Sequence, residues 1–320
     1  MSDWLEVRIP ISPLDHYFNR VHLIAHSIRS LGGRYADVHV RVTVGADQEP
    51  EDLHRRMPWS REAGIDWVWA DREEFRQWRG TEHEYIATMM ERFRPPFSTR
   101  QVLMLDADVL VMREFDELAA SLEQAEGIAG VMAHVSPFPT PSYANASEWA
   151  RLLELAGVST PLDKQYSGWG IMAHDPAQRF GPTYFNTGVI LASSSVLERL
   201  YRPYIECLDL VRGAMDTYFF EQIALTLALA RAGISATGVP LRYNFPNQIG
   251  FDRAYQEELD QVRFLHFLRT DAIQREADFE TLGAMSQLTS RSDLTGSNEA
   301  LRRRISELMP AVQAANRQKA

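Results

Sequence analysis

The chain of 320 residues is 45% hydrophobic and 24% charged, enough apolar content to bury a large core, which excludes a disordered chain. A formal net charge of −10 argues against a general nucleic-acid partner, and an anionic substrate would need local cations or a metal. The single cysteine, Cys207, excludes an internal disulfide and a four-cysteine zinc site and fits a reducing compartment.

In chain order, Glu6–Ile11 predicts a first strand and Tyr17–Leu31 a helix that stops at Gly32–Gly33. Strands are predicted at Val38–Val44 and Ile65–Ala70, then a helix at Glu82–Phe93 ended by Pro95–Pro96. Within the apolar stretch of residues 102–112, the run Val102–Leu105 reads as a strand buried on both sides that delivers Asp106 and Asp108. A helix over Phe115–Gln124, a strand over Ile128–Ala133, a loop over Pro137–Tyr143 and a helix over Glu148–Ala156 follow. Residues 159–182 read as a long loop, Tyr184–Ala192 as a strand, Ser195–Val211 and Tyr218–Ala232 as helices, and Val262–Phe267 as a late strand. The alternation of strands and helices predicts an α/β protein with a mostly parallel central sheet flanked by helices. We expect a main domain over residues 1–285 and a helical tail over 286–320, with Arg302, Arg303 and Arg304 on a solvated helix face. No signal peptide opens the chain and no run of about 18 apolar residues occurs, so a cytoplasmic protein without a membrane span is expected.

Asp106 and Asp108, two residues apart in a strand, would point to one face. Two carboxylates forced together repel, so one takes up a proton unless a cation neutralises both. Hard oxygen ligands suit Mg²⁺ or Mn²⁺ on a phosphate-bearing ligand. The bland alternative is a pair of aspartates that caps a turn.

Four further segments accompany this strand: TyrPheAsnThrGlyVal at 184–189, PhePheGluGln at 219–222, ArgTyrAsnPhe at 242–245 and PheLeuHisPhe at 264–267. With the DxD strand, and with Asp15 and Tyr17 ahead of the first helix, they resemble the family-eight glycosyltransferases, the group of glycogenin and the bacterial lipopolysaccharide galactosyltransferases. The resemblance runs from about residue 7 to 270 and implies a GT-A type nucleotide-diphospho-sugar transferase fold. It also implies that Asp106, Asp108 and His266 hold a divalent metal, Mn²⁺ or Mg²⁺, on the diphosphate of a nucleotide-sugar, a UDP-sugar by the family's habit. Ser12, Asp15, Tyr17, Arg92, Asp106, Asn186 and Gly188 would contact the donor, and Glu221 and Gln222 would stand beside the reacting sugar. The reaction implied is transfer of a sugar with retention to a saccharide, lipid or protein acceptor.

The chain departs from the family pattern at several points. The Gly and Lys that follow the family's histidine and grip the diphosphate are missing, which leaves Arg269 as the substitute. His134 stands where an acid is usual, Glu221 where an Asp is usual, and Leu14 and His16 in the nucleotide loop. Two other readings stay open: a non-catalytic nucleotide-sugar-binding protein on the same scaffold, and a haloacid-dehalogenase-like phosphatase with a DxD strand.

Overall fold

The structure is a computed structural model that describes residues 4–46, 48–70, 85–138, 144–166 and 180–317. The part of the expected helix at residues 82–84, the loop at 139–143 and the centre of the loop at 167–179 lie outside the described residues.

The first half of the chain alternates as expected. Strand β1 (Leu5–Ile11) leads into α1 (Asp15–Arg29), whose Phe18, Val21, Ile24 and Ile28 are buried on the sheet. The helix stops where Gly32 and Gly33 take φ of 72° and 51°, backbone that residues with a Cβ avoid. Then come β2 (His39–Val44), the short helices α2 (Leu53–Arg56) and α3 (Trp59–Glu62), β3 (Ile65–Trp69) and α4 (Tyr85–Met90). Strand β4 (Gln101–Leu105) is followed by β5 (Val109–Val111), α5 (Asp116–Gln124), β6 (Ile128–Met132) and α6 (Ala144–Leu155). The expected long loop carries a two-strand ladder of β7 (Lys164–Gln165) and β8 (Phe180–Gly181).

Strand β9 (Phe185–Ser193) precedes the long helix α7 (Ser194–Ala214), α8 (Phe220–Ala232) and β10 (Ala236–Gly238). The remainder comprises β11 (Phe245–Pro246), α9 (Ile249–Ala254), α10 (Gln256–Asp260), β12 (Phe264–His266), α11 (Leu282–Thr289) and α12 (Gly296–Arg317).

Seven strands form the central sheet in the order β10-β6-β9-β4-β1-β2-β3. Its pairs are parallel except at β9, which runs antiparallel to both β4 and β6. Both faces are covered. Along β4, Leu103 and Leu105 enter the core shared with α1 and α12, while Val102 and Met104 enter the core shared with α7 and α8, as a period of two requires.

A small second sheet, in the order β11-β12-β5, sits beyond the end of β4. The strand expected at Val102–Leu105 is present as β4, but the expectation that Asp106 and Asp108 lie two apart on one strand is corrected. The chain leaves the central sheet at Leu105, turns through Asp106–Ala107–Asp108 and re-enters a different sheet at Val109. The apolar run is continuous because both strands are buried, so hydrophobicity alone could not show the break.

The segment expected as a tail is helical, and its apolar side belongs to the main core. Leu301, Ile305, Leu308 and Val312 of α12 are buried there. Of the three arginines expected on a solvated face, Arg303 is exposed, whereas Arg304 donates to the carbonyls of Val111 (3.2 Å) and Ser27 (2.9 Å).

Candidate metal and donor site

The junction of the two sheets builds the site. At the end of β4, the Asp106 amide donates to the Gly188 carbonyl of β9 (2.9 Å), and the Val109 amide closes the turn on the Asp106 carbonyl (3.2 Å). Strand β5 then pairs antiparallel with β12, placing Val109 opposite His266, and the Phe267 amide donates to the Asp108 carbonyl (2.8 Å). The result is that one ligand atom each from Asp106, Asp108 and His266 lies within 4.8 Å of the other two. The two carboxylates therefore converge through a turn, not through same-face positions of one strand.

The acids already have partners. Arg92, with no exposed surface, donates to Asp106 Oδ1 (2.8 Å) and to Glu221 Oε2 (3.1 Å), and Thr187 Oγ donates to Glu221 Oε1 (2.7 Å). Asp108 faces His266 Nε2 at 3.2 Å through Oδ1 and forms an ion pair with Arg275 through Oδ2. The sequence expectation of a pair that needs a proton or a metal thus missed two guanidinium groups. Burial alone would raise the Asp108 pKa, but His266, Arg275 and Arg20 outweigh it and hold the carboxyl well below the usual range. Burial opposes charge on His266, yet Asp108 and Asp106 raise its pKa above the ordinary imidazole value. Glu221 moves the other way, pushed up by burial and by Asp106 against the pull of Arg92 and Thr187.

A cavity of about 510 Å³ opens over this cluster, a size typical of small-molecule sites. Among the expected site residues, Ser12, Tyr17, Asp106, Asp108, Asn186, Glu221, Gln222 and His266 line it. Four others do not. Asp15 faces away and pairs with Arg56. Arg92 lies beneath the floor, where it braces Asp106 and Glu221. Gly188 has given its side-chain space to His266, since a Cβ there would lie 2.6 Å from the ring's Cε1. Arg269 is exposed and is absent from the cavity wall.

Among the described residues, the arginine that lines the cavity is Arg275, which lies further beyond His266 than the Arg269 expected from the sequence. Tyr218, 76% exposed, also lines the mouth. His134 packs its ring against Phe251 (centroids 4.7 Å apart), and burial and the nearby His266 push its pKa down to about 4. Among the described residues no lysine lines the cavity, whereas the phosphatase reading needs one.

The donor set fits a hard divalent cation. Two carboxylates and an imidazole suit Mn²⁺ or Mg²⁺, and each group also faces the cavity where a phosphate would complete the shell.

No protein-family model and no curated protein matches the chain. Solved structures do. The chain is similar to the galactosyltransferase LgtC in complex with donor and acceptor sugar analogs, at 16% identity, with 96% of this chain and 95% of that chain covered and a TM-score of 0.55. An active-site Gln-to-Glu mutant of LgtC aligns at 15% identity over the same shares with a TM-score of 0.56. The glycosyltransferase GlyE of Streptococcus pneumoniae aligns at 12% identity over 99% of this chain and 64% of that chain, with a TM-score of 0.50. At these identities the likeness speaks for architecture, and the chain is a divergent protein of the GT-A glycosyltransferase fold.

Proposed function

We propose that the protein is a metal-dependent glycosyltransferase that takes a sugar from a UDP-sugar and transfers it, with retention, to a saccharide, lipid or protein acceptor. The observation that carries this reading is the convergence of Asp106, Asp108 and His266 on one cavity of a GT-A fold. In this reading the three residues hold Mn²⁺ or Mg²⁺, which when bound offsets the charge that builds on the leaving diphosphate. Arg275, not Arg269, stands where a cation can meet the same diphosphate. Ser12 and Tyr17 line the side of the cavity next to β1 and suit the nucleoside, and Asn186 suits the sugar.

Among the described residues that line the cavity Gln222 is the only glutamine, and an active-site glutamine is what the LgtC mutant replaces. Its amide carbonyl beside the anomeric carbon would steady an oxocarbenium-like centre without taking a proton. Glu221 fixes the floor through Arg92 and Thr187. Among the described residues no helix is long and apolar enough to cross a membrane, and the buried Cys207 fits the reducing cytoplasm we propose as its location.

The test is a thermal-shift screen of nucleotide-sugars with and without Mn²⁺, followed by hydrolysis of the best donor without acceptor. A ligand that binds only the native state raises the unfolding temperature. A UDP-sugar that stabilises the protein only with metal, and is slowly hydrolysed, supports the reading. Equal stabilisation in EDTA removes the metal from it, and tight binding without turnover makes the protein a binder.

A further inference from the structure

Behind His266 lies a chain of two side-chain amides, the half-buried Asn186 that lines the cavity and the buried Asn244, which the donor reading leaves without a role. His266 Nδ1 is 3.1 Å from Asn244 Oδ1, and Asn244 Nδ2 is 2.9 Å from Asn186 Oδ1. Asn186 Oδ1 in turn accepts the main-chain amide of Gly188 (3.0 Å). Asn244 has no exposed surface and immediately precedes β11, which pairs in parallel with β12 and so lies alongside His266.

The polarity of this chain follows from its last link. A main-chain N–H can only donate, so the Asn186 atom that faces Gly188 must be oxygen. That oxygen also meets Asn244, so the Asn244 atom facing it must be the amide nitrogen. The other end of Asn244 is then its oxygen, which accepts, and His266 Nδ1 must carry a hydrogen. In a neutral ring the lone pair is therefore on Nε2, the nitrogen that looks at Asp108 and into the cavity. Gly188 holds the ring from the remaining side, because its missing Cβ leaves room for Cε1 and Nδ1 and no more.

We propose that Asn244, backed by Asn186, is the positioning residue that fixes His266 in the Nδ1–H tautomer and presents Nε2 as the metal-ligating atom. The proposal rests on the reading of Asp106, Asp108 and His266 as a divalent-cation site. It also joins the AsnThrGly turn and the ArgTyrAsnPhe segment in a single role, since the two asparagines meet each other and then the histidine.

The test is Mn²⁺ binding to the full chain, read by electron paramagnetic resonance, for the wild type, H266A, N244L, N244D and the double variant H266A/N244L. Leucine matches asparagine in shape and cannot accept the Nδ1 hydrogen, whereas aspartate keeps an acceptor oxygen toward Nδ1 but can no longer donate to Asn186 Oδ1. Loss of such an outer partner lowers metal affinity about 10- to 100-fold, the loss expected for N244L, with a distinctly smaller loss for N244D. If Asn244 acts through His266, the double variant binds no more weakly than H266A, while a merely structural effect would add to it. Circular dichroism of each variant separates misfolding from weakened binding. Should N244L unfold, retention of most of the affinity in N244D together with an Nδ1–H signal for His266 in nitrogen-15 NMR carries the same conclusion. Wild-type affinity in N244L, or additive losses in the double variant, overturns the proposal alone. Wild-type affinity in H266A, or no Mn²⁺ binding by the wild type, overturns the metal-site reading beneath it.

Discussion

Arg275 sits on Asp108 Oδ2 while His266 faces Oδ1, so both oxygens of one buried carboxylate meet positive or ionisable groups. A cation that binds Asp108 must share it with Arg275 or displace the guanidinium toward the cavity, where a diphosphate would lie. In the proposed reading this exchange would couple the binding of metal to that of diphosphate.

That coupling makes R275A act in two directions. Removal of the guanidinium should weaken UDP binding in the presence of Mn²⁺ by about 10- to 100-fold, the usual worth of a charge-assisted contact. Binding of Mn²⁺ alone should tighten, because Asp108 loses a competing partner. R269A should change neither, since that side chain is exposed and off the cavity wall. Isothermal titration of the three proteins decides it, and a UDP affinity that follows Arg269 would reverse the assignment.

Arg92 poses a question of stability. Its guanidinium is fully buried between Asp106 and Glu221, so R92M would leave two carboxylates without their cation. Removal of one partner from a buried ion pair costs about 3–5 kcal/mol. Urea unfolding should show a loss of that order for R92M and a smaller one for R92M/E221Q, where one stranded acid has gone. Equal losses would mean that Glu221 is already neutral in the folded protein, in line with its raised pKa.

A different acid sensitivity is built into α1. His22 is buried, stacked on Trp59 with ring centroids 4.0 Å apart, and its Nε2 lies 3.1 Å from His26 Nε2. Burial, then His26 and Arg29, push its pKa down to about 3. The unfolded chain takes up a proton near pH 6.5 that the folded protein refuses, so stability is full above 6.5 and falls as the pH drops toward 3. Between pH 7 and pH 5 this group should cost about 2 kcal/mol. H22F keeps the stacking surface and loses the titration, so urea unfolding should show a flatter pH dependence for it. Parallel curves for the two proteins would show that other groups set the acid limit.

Particular residues show what was legible in the sequence and why. Asp106, Asp108 and His266 were visible because carboxylates and a histidine are rare within apolar runs, and their meeting needed only that two strands end at one place. The turn between the aspartates was invisible, since Val109–Val111 is as apolar in the second sheet as Val102–Leu105 is in the first. The direction of β9 was equally hidden, because a strand buried on both faces reads the same parallel or antiparallel. Arg92 carries no sign in the sequence that it lies under the floor, since only packing decides which arginine is enclosed. Arg275 comes from a loop whose path hydrophobic periodicity does not describe, and a fixed offset from His266 pointed to Arg269 instead. The tail's membership of the core was written in Leu301, Ile305, Leu308 and Val312 at helical spacing, but the neighbouring arginines masked it.

Stereochemistry is the sharpest test of the catalytic assignment. Inversion needs a base placed to take the acceptor's proton during attack. Glu221 is the acid nearest Gln222 in the chain, yet its two oxygens are engaged by Thr187 and Arg92. To serve as a base it would have to break a buried pair. Among the described residues, His134 is packed against Phe251 and does not line the cavity, and in the proposed reading Gln222 faces the reacting sugar with an amide that cannot take up the proton usefully. We therefore expect an α-linked donor to give an α-linked product. Q222A should lower kcat by at least about 100-fold with KM for the donor changed by less than about threefold, the pattern of an interaction made in the transition state. E221Q should instead cost stability along with activity, because it alters the Arg92 pair. Proton NMR of the first product reads the anomeric configuration directly, and a β-linked product would move the catalytic role from Gln222 to Glu221 or His134.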